Sequence, residues 1–226
     1  MSDQLRICLV GATGLVGATL IEAAVARPDV RIIGVARNEM KLPHGARMEM
    51  LLADPSGWPD AIAAANARVL VCALGTTMAA VGKDEAAFRA VDHGLVLDVA
   101  RAAKAAGIEH MIVVSSVGAD PASKTFYLRV KGEMEGALSR LRFRRLDILR
   151  PGLLRGDRRE RRPLERIAQI LAPLADLLLN GKRRKYRSIR AEVLARAIFA
   201  LAREKAGGHF IHEHDAMLYA IRRRGG

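Results

Sequence analysis

Tyr127 and Lys131, within FYLRVKGEMEG, stand four residues apart, so on a helix they share one face. A free tyrosine has a pKa of about 10 and moves protons poorly at neutral pH, but an adjacent ammonium stabilises the phenolate and lowers that value. Ser115 and Ser116 close the apolar run EHMIVVSS, where either hydroxyl could hydrogen-bond a carbonyl oxygen beside the pair. Spacing does not separate the two serines, and Ser116 is the favoured one. A proton donor, a cation and a hydroxyl gathered in one place suit acid–base work on a carbonyl or an alcohol. The bare Tyr-x-x-x-Lys pattern recurs by chance. Its place one loop after an apolar run gives it weight.

A second motif lies near the amino terminus. GATGLVG, comprising Gly11, Ala12, Thr13, Gly14, Leu15, Val16 and Gly17, separates the run LRICLV from an Ala/Leu-rich stretch that stops before Pro28. Between a strand and a helix such a turn binds phosphate: glycine lets the backbone approach a pyrophosphate, and the helix start offers free N–H groups with a partial positive charge. About twenty residues further on, Arg37 and Asn38 end the run IIGVAR. At that position an acidic residue accepts the ribose 2′-hydroxyl of NAD, whereas an arginine accommodates the 2′-phosphate of NADP. NADPH is therefore favoured over NADH. Leu74 and Gly75, in ALGTT after a fourth apolar run, add backbone against which a cofactor could lie.

These residues need elements to position them. Apolar runs at 5–12, 30–37, 46–54, 67–75, 109–116 and 145–152 read as six strands, and the segments between them carry helical periodicity, above all 84–107, which stops at Gly107. Strands alternating with helices predict a doubly wound, mostly parallel sheet of Rossmann type. Beyond Pro163 two amphipathic helices and the tail HFIHEHDAMLYAIRR, which could hold one short strand and a terminal helix, make a small, mainly helical appendage. One domain over 1–226 is expected, with a core at 1–155 and a substrate-side, basic segment at 156–226.

Composition sets limits. The chain has 226 residues, 50% hydrophobic, enough to bury one full core. Its net charge of +13 is uneven, with 14 Lys+Arg against 15 Asp+Glu up to residue 139 and 23 against 9 beyond it. No zinc pattern, helix-turn-helix spacing or aromatic-interleaved RNA motif accompanies the basic clusters, so neither nucleic acid nor membrane is the expected partner. The basic third is read either as a solvated face or as a surface for a protein partner. Cys8 and Cys72 sit inside apolar runs as buried small hydrophobes, which suggests a reducing, cytoplasmic setting without a disulfide. Glycines break the apolar segment ICLVGATGLVGATL, so neither a signal peptide nor a membrane span is read there. His209, His212 and His214 alternate along the tail, but no ligand spacing surrounds them, so a solvent-facing tail and no metal are expected.

The glycine turn, VVSS, YLRVK and LRPG, in this order and spacing, resemble the short-chain dehydrogenase/reductase superfamily. CALGTT, VSSVGAD, FYLRVKGEMEG, RPGLLRGDRRERRP and the aspartate of AVDHG are similar to its atypical branch, and within it to the Tat-interacting oxidoreductase family. The likeness spans about residues 5–165. It implies an NADPH-binding oxidoreductase acting on a small-molecule carbonyl, monomeric or homodimeric. Tyr127 would be proton donor or acceptor, Lys131 would hold the nicotinamide ribose and tune Tyr127, and a serine would polarise the carbonyl. Leu154 and Arg162 match positions near the cofactor. The superfamily's main branch has an asparagine on the fourth helix where this chain has Asp92, which leaves the proton relay of that branch in doubt. Because the atypical branch includes such cases, an NADPH-sensing regulator with little turnover is the alternative.

Overall fold

The computed structural model describes residues 4–156, 176 and 179–224. Seven parallel strands form its sheet: β1 (Leu5–Val10), β2 (Val30–Ala36), β3 (Met48–Leu52), β4 (Val69–Cys72), β5 (His110–Val114), β6 (Arg145–Leu149) and β9 (Gly208–His212). Their order is β3-β2-β1-β4-β5-β6-β9. The winding reverses between β1 and β4, and in an open parallel sheet ligands bind at such a switch point, outside the carboxyl ends of the strands.

The apolar runs are continuous because both faces of the sheet are covered. Cys8, Val10, Leu70, Cys72, Met111, Val113, Leu146 and Ile148 point to one face, which packs on α2 (Trp58–Ala64), α4 (Val96–Ala105) and α5 (Phe126–Arg140). The alternate residues Ile7, Leu9, Val69, Val71, Ile112 and Leu149 point to the other, against α1 (Leu15–Ala24), α6 (Ala191–Leu201) and α7 (His214–Arg223). Each fully buried Leu or Ile contributes about 2 kcal/mol, so the alternation fixes the register.

Two expectations are refined. The stretch 84–107 is not one regular helix: α3 (Glu85–Arg89), capped by the Asp84 carboxylate accepting from the N–H groups of Ala86 and Ala87, runs into a π-turn over Ala90–Leu95 before α4 begins. The tail is also more than an appendage, because β9 extends the main sheet beside β6, with Asp147 opposite Phe210. A separate ribbon pairs β7 (Leu154–Arg155) with β8 (Ile189–Arg190). The expected helix just beyond Pro163 lies mostly outside the described residues.

Candidate active site

The glycine turn has little freedom to be anything else. Gly11 has φ +94°, and a Cβ there would lie 2.6 Å from the carbonyl carbon of Ala73, just past β4. A Cβ on Gly17 would lie 2.2 Å from the Gly11 carbonyl oxygen, so this glycine lets α1 pack directly on the turn. Ala12, Val16 and Gly17 are buried in that packing, Gly11 and Leu15 are half-buried, and Thr13 and Gly14 are exposed at the start of α1. Arg37 and Asn38 are exposed at the end of β2, the neighbour of β1. Leu74 is half-buried and Gly75 exposed just after β4.

On the other side of the switch point, α5 carries Tyr127 and Lys131. A Cβ on Gly132 would lie 2.3 Å from backbone atoms of Asp120 and Pro121, so the loop after β5 rests directly on this helix. The Tyr127 ring packs on buried Phe88 with centroids 5.6 Å apart, and Phe88 meets Phe126 edge-on at 5.8 Å. Lys131 is only 4% exposed, and its Nζ lies 2.7 Å from Oδ1 of fully buried Asp92. The approach is that of an ion pair, while its angle leaves Oδ1 without a hydrogen bond. The second oxygen, Oδ2, accepts the Thr76 N–H at 2.7 Å. Asp92 thus clamps Lys131 to the turn after β4, and a Cβ on Gly75 would stand 3.9 Å from Nζ.

The two serines part company. Ser115 is buried and donates to Glu135, which also accepts from the Arg150 guanidinium. Ser116 is half-buried, and among the described residues its hydroxyl makes one long hydrogen bond, to the Val117 carbonyl at 3.4 Å. Glu135 continues the Tyr127, Lys131 spacing by four more residues, a signal legible in VKGEMEG. Arg150 stands at the end of β6, where its link to Glu135 raises its pKa further. Leu154 lies on β7, and Arg162 lies outside the described residues.

Of the tail histidines His209 is exposed, as a solvent-facing row requires, but His212 is not part of such a row. His212 donates to Asp147 at 2.7 Å, His110 donates to the same carboxylate at 2.8 Å, and Arg145 forks onto both of its oxygens. Burial alone would push Asp147 up, but hydrogen bonds from His110, His212 and Arg145 outweigh it and hold the carboxyl well below the usual range. This group ties β5, β6 and β9 together. Among the described residues no cluster of three or more His, Cys, Asp or Glu could hold a metal.

The model of the NAD(P)H-binding family matches residues 11–169, from the glycine turn past β7. The chain belongs to that family. Among its relatives, the mitochondrial protein fmp52 of Emericella nidulans is 37% identical over 174 residues, which cover 74% of each chain. The mitochondrial FMP52 of Candida glabrata is 40% identical, covering 71% of this chain and 68% of its own. The Bordetella bronchiseptica enzyme WbmG, solved in complex with NAD, shares the fold with a TM-score of 0.67 at 17% identity, over 99% of this chain and 79% of its own. The cytoplasmic setting read from the cysteines is corrected by these relatives, which are named as mitochondrial. Cys8 and Cys72 are both free and buried, but burial explains that whatever the compartment.

Proposed function

We propose that this protein is an NADPH-dependent reductase of the atypical short-chain type, near the Tat-interacting oxidoreductases, acting on a small-molecule carbonyl. The observation that carries the reading is Lys131, buried on the same helix face as Tyr127 and fixed by Asp92 beside Gly75, at the switch point that the exposed Thr13 and Gly14 also border. The residues fit a dinucleotide, since the turn at 11–17 keeps its backbone open at the start of α1 and Arg37 supplies a cation for a 2′-phosphate. The bound cofactor supplies a hydride to the carbonyl carbon. Tyr127 gives its phenolic proton to the carbonyl oxygen, Ser116 donates a hydrogen bond to that oxygen, and Lys131 orients the ribose and favours the phenolate left behind. Phe88 holds the Tyr127 ring in place. By analogy with the named relatives, its setting is mitochondrial.

A second reading, an NADPH-responsive regulator with little turnover, draws on the same Lys131: its charge is already matched by Asp92, which weakens its pull on the Tyr127 phenol. The test is Tyr127→Phe assayed with NADPH against a panel of aldehydes and ketones. Loss of at least about 100-fold in turnover with unchanged NADPH affinity supports the reductase. Unchanged turnover on a carbonyl that wild type reduces overturns the role of Tyr127. Tighter binding of NADH than NADPH overturns the role of Arg37.

A further inference from the structure

The β7–β8 ribbon places two arginines side by side. In its parallel register Leu154 pairs with Ile189 and Arg155 with Arg190. Leu154 and Ile189 belong to the apolar layer against α1 and α6, so Arg155 and Arg190 project together from the opposite face. Like charges opposed across a ladder repel, and such pairs persist where something of opposite sign offsets them. Among the described residues nothing does. Neither guanidinium has a hydrogen bond or ion pair there, Glu192 two residues beyond Arg190 included, and the Arg155 Nε is buried without an acceptor. A buried N–H without a partner costs the protein its full desolvation, so the site lacks an acceptor that a ligand would bring.

The ribbon is also anchored beside the glycine turn. A Cβ on Gly156, immediately after Arg155, would come within 2.8 Å of the Leu15 side chain and 3.2 Å of the Ala191 Cβ, the residue immediately after Arg190. The two arginines therefore stand one residue from a three-way contact with the first residue of α1.

We propose that Arg155 and Arg190 form a phosphoryl-binding pair, bridged by a phosphate or diphosphate group lying alongside the turn at 11–17. Planar guanidinium forks suit phosphate oxygens, and the ligand would supply the acceptor that Arg155 lacks. The group comes from the dinucleotide or from a phosphorylated substrate. The first source rests on the cofactor reading above, and the second does not.

The test uses the full chain with Arg155→Met, Arg190→Met and the double variant, titrated with NADPH and separately with inorganic pyrophosphate, before and after saturation with NADPH. A rise in the NADPH dissociation constant of about tenfold or more in the double variant assigns the pair to the cofactor. Unchanged NADPH affinity with loss of pyrophosphate binding to the NADPH-saturated protein assigns it to the substrate. Should wild type bind pyrophosphate through these arginines but not NADPH, the cofactor reading fails and the pair stands. Affinities for both ligands within twofold of wild type overturn the proposal. Melting without ligand gives an independent readout, because removing an unpaired guanidinium leaves the melting temperature equal or higher, whereas a purely structural arginine would lower it. If the double variant does not fold, Arg155→Gln and Arg190→Gln answer the same question singly.

Discussion

Asp92→Asn isolates the contact that sets this site apart. The substitution keeps the shape of the side chain and an oxygen that can accept the Thr76 N–H, but removes the negative charge 2.7 Å from Lys131 Nζ. What remains is an ammonium only 4% exposed with no other ion-pair partner among the described residues. Removing one partner of a buried ion pair costs about 3–5 kcal/mol, and the retained hydrogen bond places this variant at the lower end, near 3 kcal/mol. In a chain of this length each kcal/mol moves the melting temperature by about 2–4 °C, so a fall of about 6–12 °C is expected. Asp92→Ala, which also leaves the Thr76 N–H unpaired, falls further by about 1 kcal/mol. The decisive measurement is a double-mutant cycle by urea unfolding at pH 7 with Lys131→Met. If the pair carries the effect, Asp92→Asn costs little once Lys131 is gone, and the coupling energy is at least about 1.5 kcal/mol. Additive losses, or a melting temperature for Asp92→Asn within 1–2 °C of wild type (under about 1 kcal/mol), refute the reasoning.

Three further outcomes follow from the geometry. The Asp147 carboxyl is held below its unfolded value of about 3.9, so its stabilisation is complete above that pH and drains away as pH falls below about 4 toward the folded pKa. Asp147→Asn, which strands buried Arg145, is expected to cost about 3–5 kcal/mol at neutral pH and to flatten the acid limb of stability; an unchanged limb in urea midpoints between pH 5 and 2.5 counts against it. Gly132→Ala drives a methyl into the backbone of Asp120 and Pro121, and a loss of about 1–3 kcal/mol in urea unfolding is expected, with thermal stability equal to wild type as the contrary result. Burial pushes the Cys8 thiol up to about 12 and Cys72 up to about 11, so a thiol reagent at pH 8 should label neither in the native protein and both in denaturant, and rapid native labelling would contradict the packing.

Much of the fold was legible because it depends on local pattern. The continuous apolar runs reported strands covered on both faces, and the glycines at 11, 14 and 17 reported a tight turn between strand and helix. The π-turn was not legible, because Ala90–Leu95 keeps helical composition. The short strand and closing helix of the tail were legible in HFIHEHDAMLYAIRR, but the place of β9 in the main sheet was not, because its partner Asp147 on β6 lies 65 residues from His212. Helix spacing brings Tyr127, Lys131 and Glu135 to one face, yet it cannot name their partners Phe88, Asp92, Ser115 and Arg150, which arrive from other elements.

That difference bears on what the site can do. The motif residues define a direction, the face of α5 turned toward the switch point, while the partners decide the charge state of that face. Lys131 matched by Asp92 and Arg150 matched by Glu135 leave two nearly neutral pairs along α5. Arg155 and Arg190, one residue from the contact of Gly156 with Leu15, have no such match among the described residues. A ligand carrying phosphates toward the turn at 11–17 and an uncharged carbonyl toward Tyr127 satisfies both halves at once, whereas a substrate bearing its anion beside Tyr127 would meet cations already paired.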